Sequence, residues 1–249
     1  MQWLVNWPSA HPSEDREAFA SWITFGWMSP AFLKGYKQPL GLQDLPTITK
    51  KLDVSSILRT FLGNYNSSKK KKEEAGKMNT STLKVLLKSF GGSFALAAFL
   101  RLLNDILLYM TPLVFRKIVR AIEAEEEVWK GYMWCGLLLL TATAQITISN
   151  HYFRQGFLAA FQMRTAIAST IYRKTLTISN SARKDFSTGE ITNLMSIDAQ
   201  RFVEIVPYLN TVWSGPFQFF LAIYFLYDLV GWSAMAGLGV FAVLIPINM

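Results

Sequence analysis

Cysteine and histidine are scarce in this chain. Its 249 residues hold one cysteine, Cys135, and two histidines, His11 and His151. A single cysteine excludes an intrachain disulfide and a thiolate metal cluster, and two histidines far apart in sequence form no local metal motif. No phosphate-cradling G-x-x-x-x-G-K-[ST] occurs: Gly76-Lys77 is followed by Met78, and Lys71 stands where the first glycine belongs. The chain therefore has no P-loop of its own, and no catalytic constellation is visible, which disfavours a membrane enzyme. A secretory signal is also missing, since the N-terminus lacks a basic start and Pro8 and Pro12 interrupt it. Charge is low, at 17% of residues, against about a quarter in a soluble domain.

Apolar and aromatic residues fill that space. Hydrophobic residues make up 51%, with 18 Phe and 8 Trp, and mean hydropathy is +0.22. The expected fold is all-α, a polytopic membrane helical bundle with long cytosolic helix extensions. The net charge of +8 is uneven. Residues 1–91 carry 13 Lys/Arg against 7 Asp/Glu, residues 121–131 carry four Glu against Lys130, and residues 154–201 carry 7 against 3. Alternating basic and acidic loops between apolar spans fit the positive-inside rule better than nucleic-acid binding. That pattern places the N-terminus and residues 154–201 in the cytosol and 121–131 outside or in a lumen.

In chain order, residues 18–34 hold Trp22 and Trp27, suited to the headgroup zone, and Pro30, a helix breaker. They predict an interfacial hairpin or helix lying on the membrane. A turn at Gly35–Leu40 and a polar extended stretch to about residue 56 follow. Residues 64–82 are polar and include Lys69–Lys72, which predicts a disordered linker. A short amphipathic helix over Ser81–Phe90 leads into a first span at 92–115, with Pro112 as a kink. A second span, 132–153, continues as a helical stripe to about Thr177, far past what a bilayer of about 30 Å requires. A third span covers 202–227 with Pro207 and Pro216, Gly231-Trp232 turns, and a fourth apolar run covers 233–249. The run stops without a basic flank, which suggests a fragment or an incomplete gene model.

Two places carry functional signals. Ser187 and Glu190 form an S-x-x-E capping box; Ile191, Leu194 and Met195 fall on one helical face, and Asp198 is placed to cap the next helix. A short amphipathic helix between two long ones, away from the bilayer, reads either as a contact surface or as an ordinary interhelical turn. Inside the first span, Arg101 and Asp105 stand at i, i+4 beside Asn104. Charges within a span are costly. They read either as a polar station on a solute path, with Arg101 offering bidentate hydrogen bonds to an anion, or as an internal ion pair that makes the span tolerable. Asn150, Asn210 and Gln218 are further polar residues in spans, and Trp213 faces a ligand or, on the better reading, lipid or packing.

Gly189–Phe202 (GEITNLMSIDAQRF) resembles the first cytoplasmic loop of ATP-binding cassette (ABC) exporters of subfamily C, the multidrug-resistance-associated group. Ile23–Pro46 (ITFGWMSPAFLKGYKQPLGLQDLP) is similar to the lasso segment of the same group. The resemblance implies a lasso region over 1–63, the linker over 64–82, and part of a type I exporter transmembrane domain over 83–249. It implies that the helix holding Ser187, Gly189, Glu190, Ile191, Leu194, Met195 and Asp198 is a coupling helix resting on a nucleotide-binding domain. Arg101, Asn104, Asp105 and Trp213 would then border the substrate pathway. Implied partners are nucleotide-binding domains that hold ATP and Mg, a second transmembrane domain, the bilayer, and an organic-anion or conjugate substrate. No cofactor is implied in this chain, and the membrane would be the plasma membrane or a vacuolar or lysosomal one. A channel or channel regulator on the same scaffold and a non-transporting membrane adaptor are the alternatives.

Overall fold

The structure is a computed structural model that describes residues 19–41, 49–74, 81–125, 127–178 and 187–235, and residues 237, 239, 240 and 244 beyond these. Among the described residues every regular element is helical. Two helices dominate. Helix α4 spans Thr82–Glu123 and helix α5 spans Val128–Thr177, or about 63 and 75 Å at about 1.5 Å per residue. A short turn joins them, so they run antiparallel and pack along their length. Both are long and apolar enough to cross a membrane.

Before them come α1 (Phe19–Ile23), a 3-10 turn at Gly26–Met28, α2 (Ser29–Lys37) and α3 (Val54–Glu74). After them come α6 (Thr188–Asn193), a π-helical turn at Leu194–Asp198, α7 (Ala199–Ile205), a 3-10 turn at Val206–Tyr208, and α8 (Leu209–Val230). The core lies where α3 meets the early turns of α4 and the far half of α5. Ile57, Phe61, Val85, Leu86, Phe90, Ala159, Ala160, Met163 and Ala166 are buried together there. The alanines of α5 let two neighbouring helices approach its axis.

Several expectations change. The polar stretch at 40–56 is not extended throughout: Lys50–Leu52 forms a 3-10 turn and α3 starts at Val54. Asp53 starts α3, its carboxylate accepting from the Ser56 amide at 3.0 Å and the Ser55 hydroxyl at 2.5 Å. Asn64–Glu74 is no linker but the end of α3. Ile57, Phe61 and Tyr65 recur at i, i+4 and hold the helix on the core, Asn64 Nδ2 donates to Ser89 Oγ at 3.0 Å, and Lys69 pairs with Glu73 at 3.7 Å. Residues 75–80 lie outside the described residues.

The lead-in helix and the first span are one element, α4, which runs through Gly91-Gly92 and Pro112. Pro30 opens α2, in a first turn where its missing N–H costs nothing. The third span becomes regular at Leu209, after the Pro207 turn, and ends at Val230. Most of the run 233–249 lies outside the described residues. Asp198 caps nothing: it has right-handed helical backbone and makes no capping bond, because the chain stays helical from α6 into α7.

Candidate functional site

The buried polar cluster starts from helical spacing. Arg101 and Asp105 share a face of α4, and Ser214 and Gln218 repeat the same four-residue step on α8. The two faces meet. Arg101 Nε lies 3.2 Å from Asp105 Oδ1 and donates to Ser214 Oγ at 2.9 Å. Ser214 Oγ donates to Asp105 Oδ2 at 2.5 Å, and Gln218 Nε2 donates to Asp105 Oδ1 at 2.7 Å. Tyr109, one turn further along α4, donates to the Gln218 carbonyl at 2.5 Å. Asp105 and Ser214 are fully buried, and the Arg101 side chain is 15% exposed.

An unpaired buried carboxylate is prohibitively costly. Here both oxygens are saturated, one of them by a cation. The cluster therefore serves first as a clamp that fixes α8 to α4. Only Nε of Arg101 is used in these bonds; its guanidinium carbon sits 5.5 Å from the Tyr152 ring centre, on α5. Tyr152 is fully buried and its hydroxyl donates to the Pro207 carbonyl at 2.6 Å. Opposite Pro207 is Gly156, where an added Cβ would lie 3.1 Å from the Pro207 Cα. That close approach seats the Pro207 turn on α5.

Asn104 and Trp213 stand beside this cluster without joining it. Asn104 is 8% exposed and its Oδ1 has no partner among the described residues. Trp213 donates its indole N–H to Asn210 Oδ1 at 3.2 Å, and Asn210 Nδ2 is a buried donor left over. Ser214, Tyr109 and Tyr152 were missed from sequence. The second i, i+4 polar pair was the readable signal for Ser214; nothing local marks the two tyrosines.

At the far tip, the capping box of α6 is complete: the Glu190 amide donates to Ser187 Oγ at 3.1 Å and the Ser187 amide donates to Glu190 Oε2 at 2.8 Å. The apolar face divides. Ile191 and Met195 are half-buried, whereas Leu194 is 43% and Ile197 55% exposed. The π-helical turn rotates the chain within Leu194–Asp198 and packs against α5. Ser187, Gly189, Glu190 and Asp198 are exposed, and Asp198 lies 3.7 Å from Arg201. The tip thus exposes two apolar side chains, Leu194 and Ile197, beside the carboxylates of Glu190 and Asp198.

A further contact holds the N-terminal segment. His151 on α5 is stacked between Trp22 and Phe25, with ring centres at 4.4 and 4.7 Å, and its Nε2 bonds the Ile23 carbonyl at 3.0 Å. Since the carbonyl can only accept, Nε2 carries the proton. Among the described residues no group of three or more His, Cys, Asp or Glu is placed to hold a metal.

Residues 94–249 match the family described as ABC transporter transmembrane region. ATP-binding cassette sub-family C member 3 of Homo sapiens is 33% identical over 264 residues, covering 97% of this chain and 17% of that protein. The Mus musculus protein of the same name is 32% identical over 260 residues, covering 94% and 17%. ABC transporter C family member 8 of Dictyostelium discoideum is 32% identical over 230 residues, covering 91% and 14%. The chain thus spans less than a fifth of the length of these relatives. With a family match over more than half of its residues and two membrane-length helices in place, this chain belongs to the ABC transporter transmembrane region family and is an integral membrane protein related to sub-family C.

Proposed function

We propose that the chain forms part of an ATP-driven exporter of amphipathic organic anions or conjugates, with Ser187–Ile197 as its coupling helix. The observation that carries this reading is the α6 tip: a helix closed by a capping box at its N-terminus, whose continuation into the π-helical turn exposes Leu194 and Ile197. A capped, rigid element keeps its shape when pushed. Through the π-helical turn it is continuous with α7 and the Pro207 turn, and that turn bonds Tyr152 under Arg101. Displacement at the tip is thereby passed to the Arg101–Asp105 cluster through packed helices. ATP and Mg2+ reside in the partner nucleotide-binding domains, and their closure supplies the force.

Arg101 borders the substrate pathway on this reading, its terminal nitrogens directed to an anionic group, with Asn104 and Trp213 beside it. Asp105 holds Arg101 in place. The N-terminus and the α6 tip are cytosolic, and the membrane is the plasma membrane or that of a vacuole or lysosome. A second transmembrane domain completes the pathway.

The test is Glu190→Lys in the full-length transporter. It removes half of the capping box and reverses the charge at 190 while leaving the membrane core intact. ATP-dependent uptake of an organic-anion conjugate into inside-out vesicles should fall while ATP hydrolysis continues. Unchanged uptake refutes the coupling role.

A further inference from the structure

Two polar stripes face each other between α3 and α4. Ser56, Thr60 and Asn64 recur at four-residue steps on α3, and Ser89 and Ser93 repeat the step on α4. Asn64 Nδ2 donates to Ser89 Oγ at 3.0 Å. Beyond that bond the stripes part around a cleft of about 390 Å³, which Ser56, Thr60, Ser89 and Ser93 line together. That shared lining requires the two helices to run antiparallel, so Thr60 stands opposite Ser93 and Ser56 lies one turn further on. Gln162 of α5 and Lys51, from the 3-10 turn before α3, complete the polar walls, and Ile57 and Phe90 supply an apolar patch. A Cβ added at Gly92, on the same wall of α4, would meet nothing within 4 Å. The cleft is of a size that suits a small molecule.

These walls hold hydrogen-bonding groups that the protein does not use. Gln162 is 8% exposed; its Nε2 donates to the Lys51 carbonyl at 3.0 Å, while its Oε1 accepts from no donor among the described residues. An amide oxygen left over on so buried a side chain calls for a partner. Thr60 donates to the Ser56 carbonyl at 3.0 Å, which leaves its oxygen as an acceptor. The hydroxyls of Ser56 and Ser93 have no partner among the described residues, and Lys51 forms no ion pair there. Three donors (the Lys51 ammonium and two serine hydroxyls) and two acceptors therefore remain. Lys51 is the one charged residue among the described lining. Asp53, the nearest acid in sequence, is engaged by Ser55 and the Ser56 amide.

We infer that this cleft binds a phosphorylated polyol, a phosphate monoester carried on a hydroxyl-bearing carbon frame. The three donors match the three terminal oxygens of a phosphate monoester; a carboxylate would leave one of them idle. Lysine meets phosphate as a point charge and needs no planar fork. Gln162 Oε1 and Thr60 Oγ1 call for donors, which ligand hydroxyls supply and bare phosphate does not. Ile57 and Phe90 receive the C–H face of the carbon frame. An anion without hydroxyls would strand the two acceptors, and a neutral polyol would leave Lys51 unmatched. The same chemistry is offered by a free sugar or polyol phosphate and by the headgroup of a phosphorylated inositol lipid.

The test is isothermal titration calorimetry of the 249-residue chain in detergent, with inositol 4-phosphate, inositol and inorganic phosphate as probes. Inositol 4-phosphate should bind at least about tenfold more tightly than either of the others, the worth of one charge-assisted hydrogen bond. Lys51→Ala, at an exposed position, should lower its affinity to that of inositol. Gly92→Leu, which grows a side chain into the cleft, should abolish binding with unchanged far-UV circular dichroism. Native mass spectrometry of the chain in nanodiscs separates the two sources. Retention of phosphatidylinositol 4-phosphate over phosphatidylinositol, removed by Gly92→Leu, assigns the lipid headgroup; binding of the soluble probe with no preference between the lipids assigns a free polyol phosphate. Inorganic phosphate binding as tightly as inositol 4-phosphate would mean an adventitious ion only and would overturn the assignment. So would a Gly92→Leu chain that binds like wild type, or no binding of the soluble probe together with equal retention of the two lipids. Neither membrane orientation nor the role of the α6 tip bears on these readouts, so the two proposals fail separately.

Discussion

Asp105 illustrates how much a single buried group can decide. Its carboxylate is fully buried between Arg101, Ser214 and Gln218. Asp105→Ala leaves a largely buried guanidinium unpaired and should cost about 3–5 kcal/mol, read as a lower unfolding temperature in detergent. Arg101→Met with Asp105→Leu removes both charges and should recover most of that loss; failure to recover would show that Asp105 does more than hold Arg101. The ion pair was legible from its i, i+4 spacing. Its partners were not, because Ser214 and Gln218 lie more than a hundred residues on, and which faces of two spans meet is settled by packing rather than by local pattern. Asp53 gives a second residue-scale prediction. The Ser55 hydroxyl and the Ser56 amide, both donating to it, hold its carboxyl below the ordinary value of 3.8. A depressed folded value means that the cap stabilises α3 above that ordinary value and is lost as pH falls through the lower folded one. The protection factor of the Ser56 amide, its exchange rate set against the intrinsic rate at the same pH, should start to fall below about pH 4, and Asp53→Asn should remove that fall. A protection factor that stays constant in the wild type would contradict it.

At the scale of elements, α3 shows where composition misleads. Asn64–Glu74 has few apolar residues and by composition alone reads as a linker, yet the i, i+4 stripe through Ile57, Phe61 and Tyr65 and a cap at Asp53 carry the helix on. Phe61→Ala should cost about 3–5 kcal/mol, as expected for a buried phenylalanine, and should open trypsin cleavage within Lys69–Lys72; an unchanged digestion pattern would separate those turns from the core. The α5 length, by contrast, was plain in the sequence, since a hydrophobic stripe that outlasts a bilayer has to be one long helix. The capping box of α6 was equally plain, because it is local chemistry. The division of its apolar face was not, since a π-helical turn carries no compositional mark. His151 belongs here too: one ring between Trp22 and Phe25 fastens α1 to α5. His151→Ala should speed proteolysis after Lys34 and Lys37 while α4 and α5 remain protected. Equal rates would show that other contacts hold the segment.

For the whole molecule, the proposed orientation has the N-terminus and the α6 tip in the cytosol and residues 121–131 on the other side. The acidic α4–α5 turn and the α6 tip lie at opposite ends of α5. Engineered glycosylation sites at 125 and 190 should be modified at 125 alone. The proposed contact of the α6 tip with a nucleotide-binding domain can be read by photocrosslinking from benzoylphenylalanine placed at Leu194 or Ile197 in the full-length transporter. An adduct with a nucleotide-binding domain is expected from both positions, and none from exposed Val212 within α8. Adducts only with lipid, or none from either tip position, would contradict it.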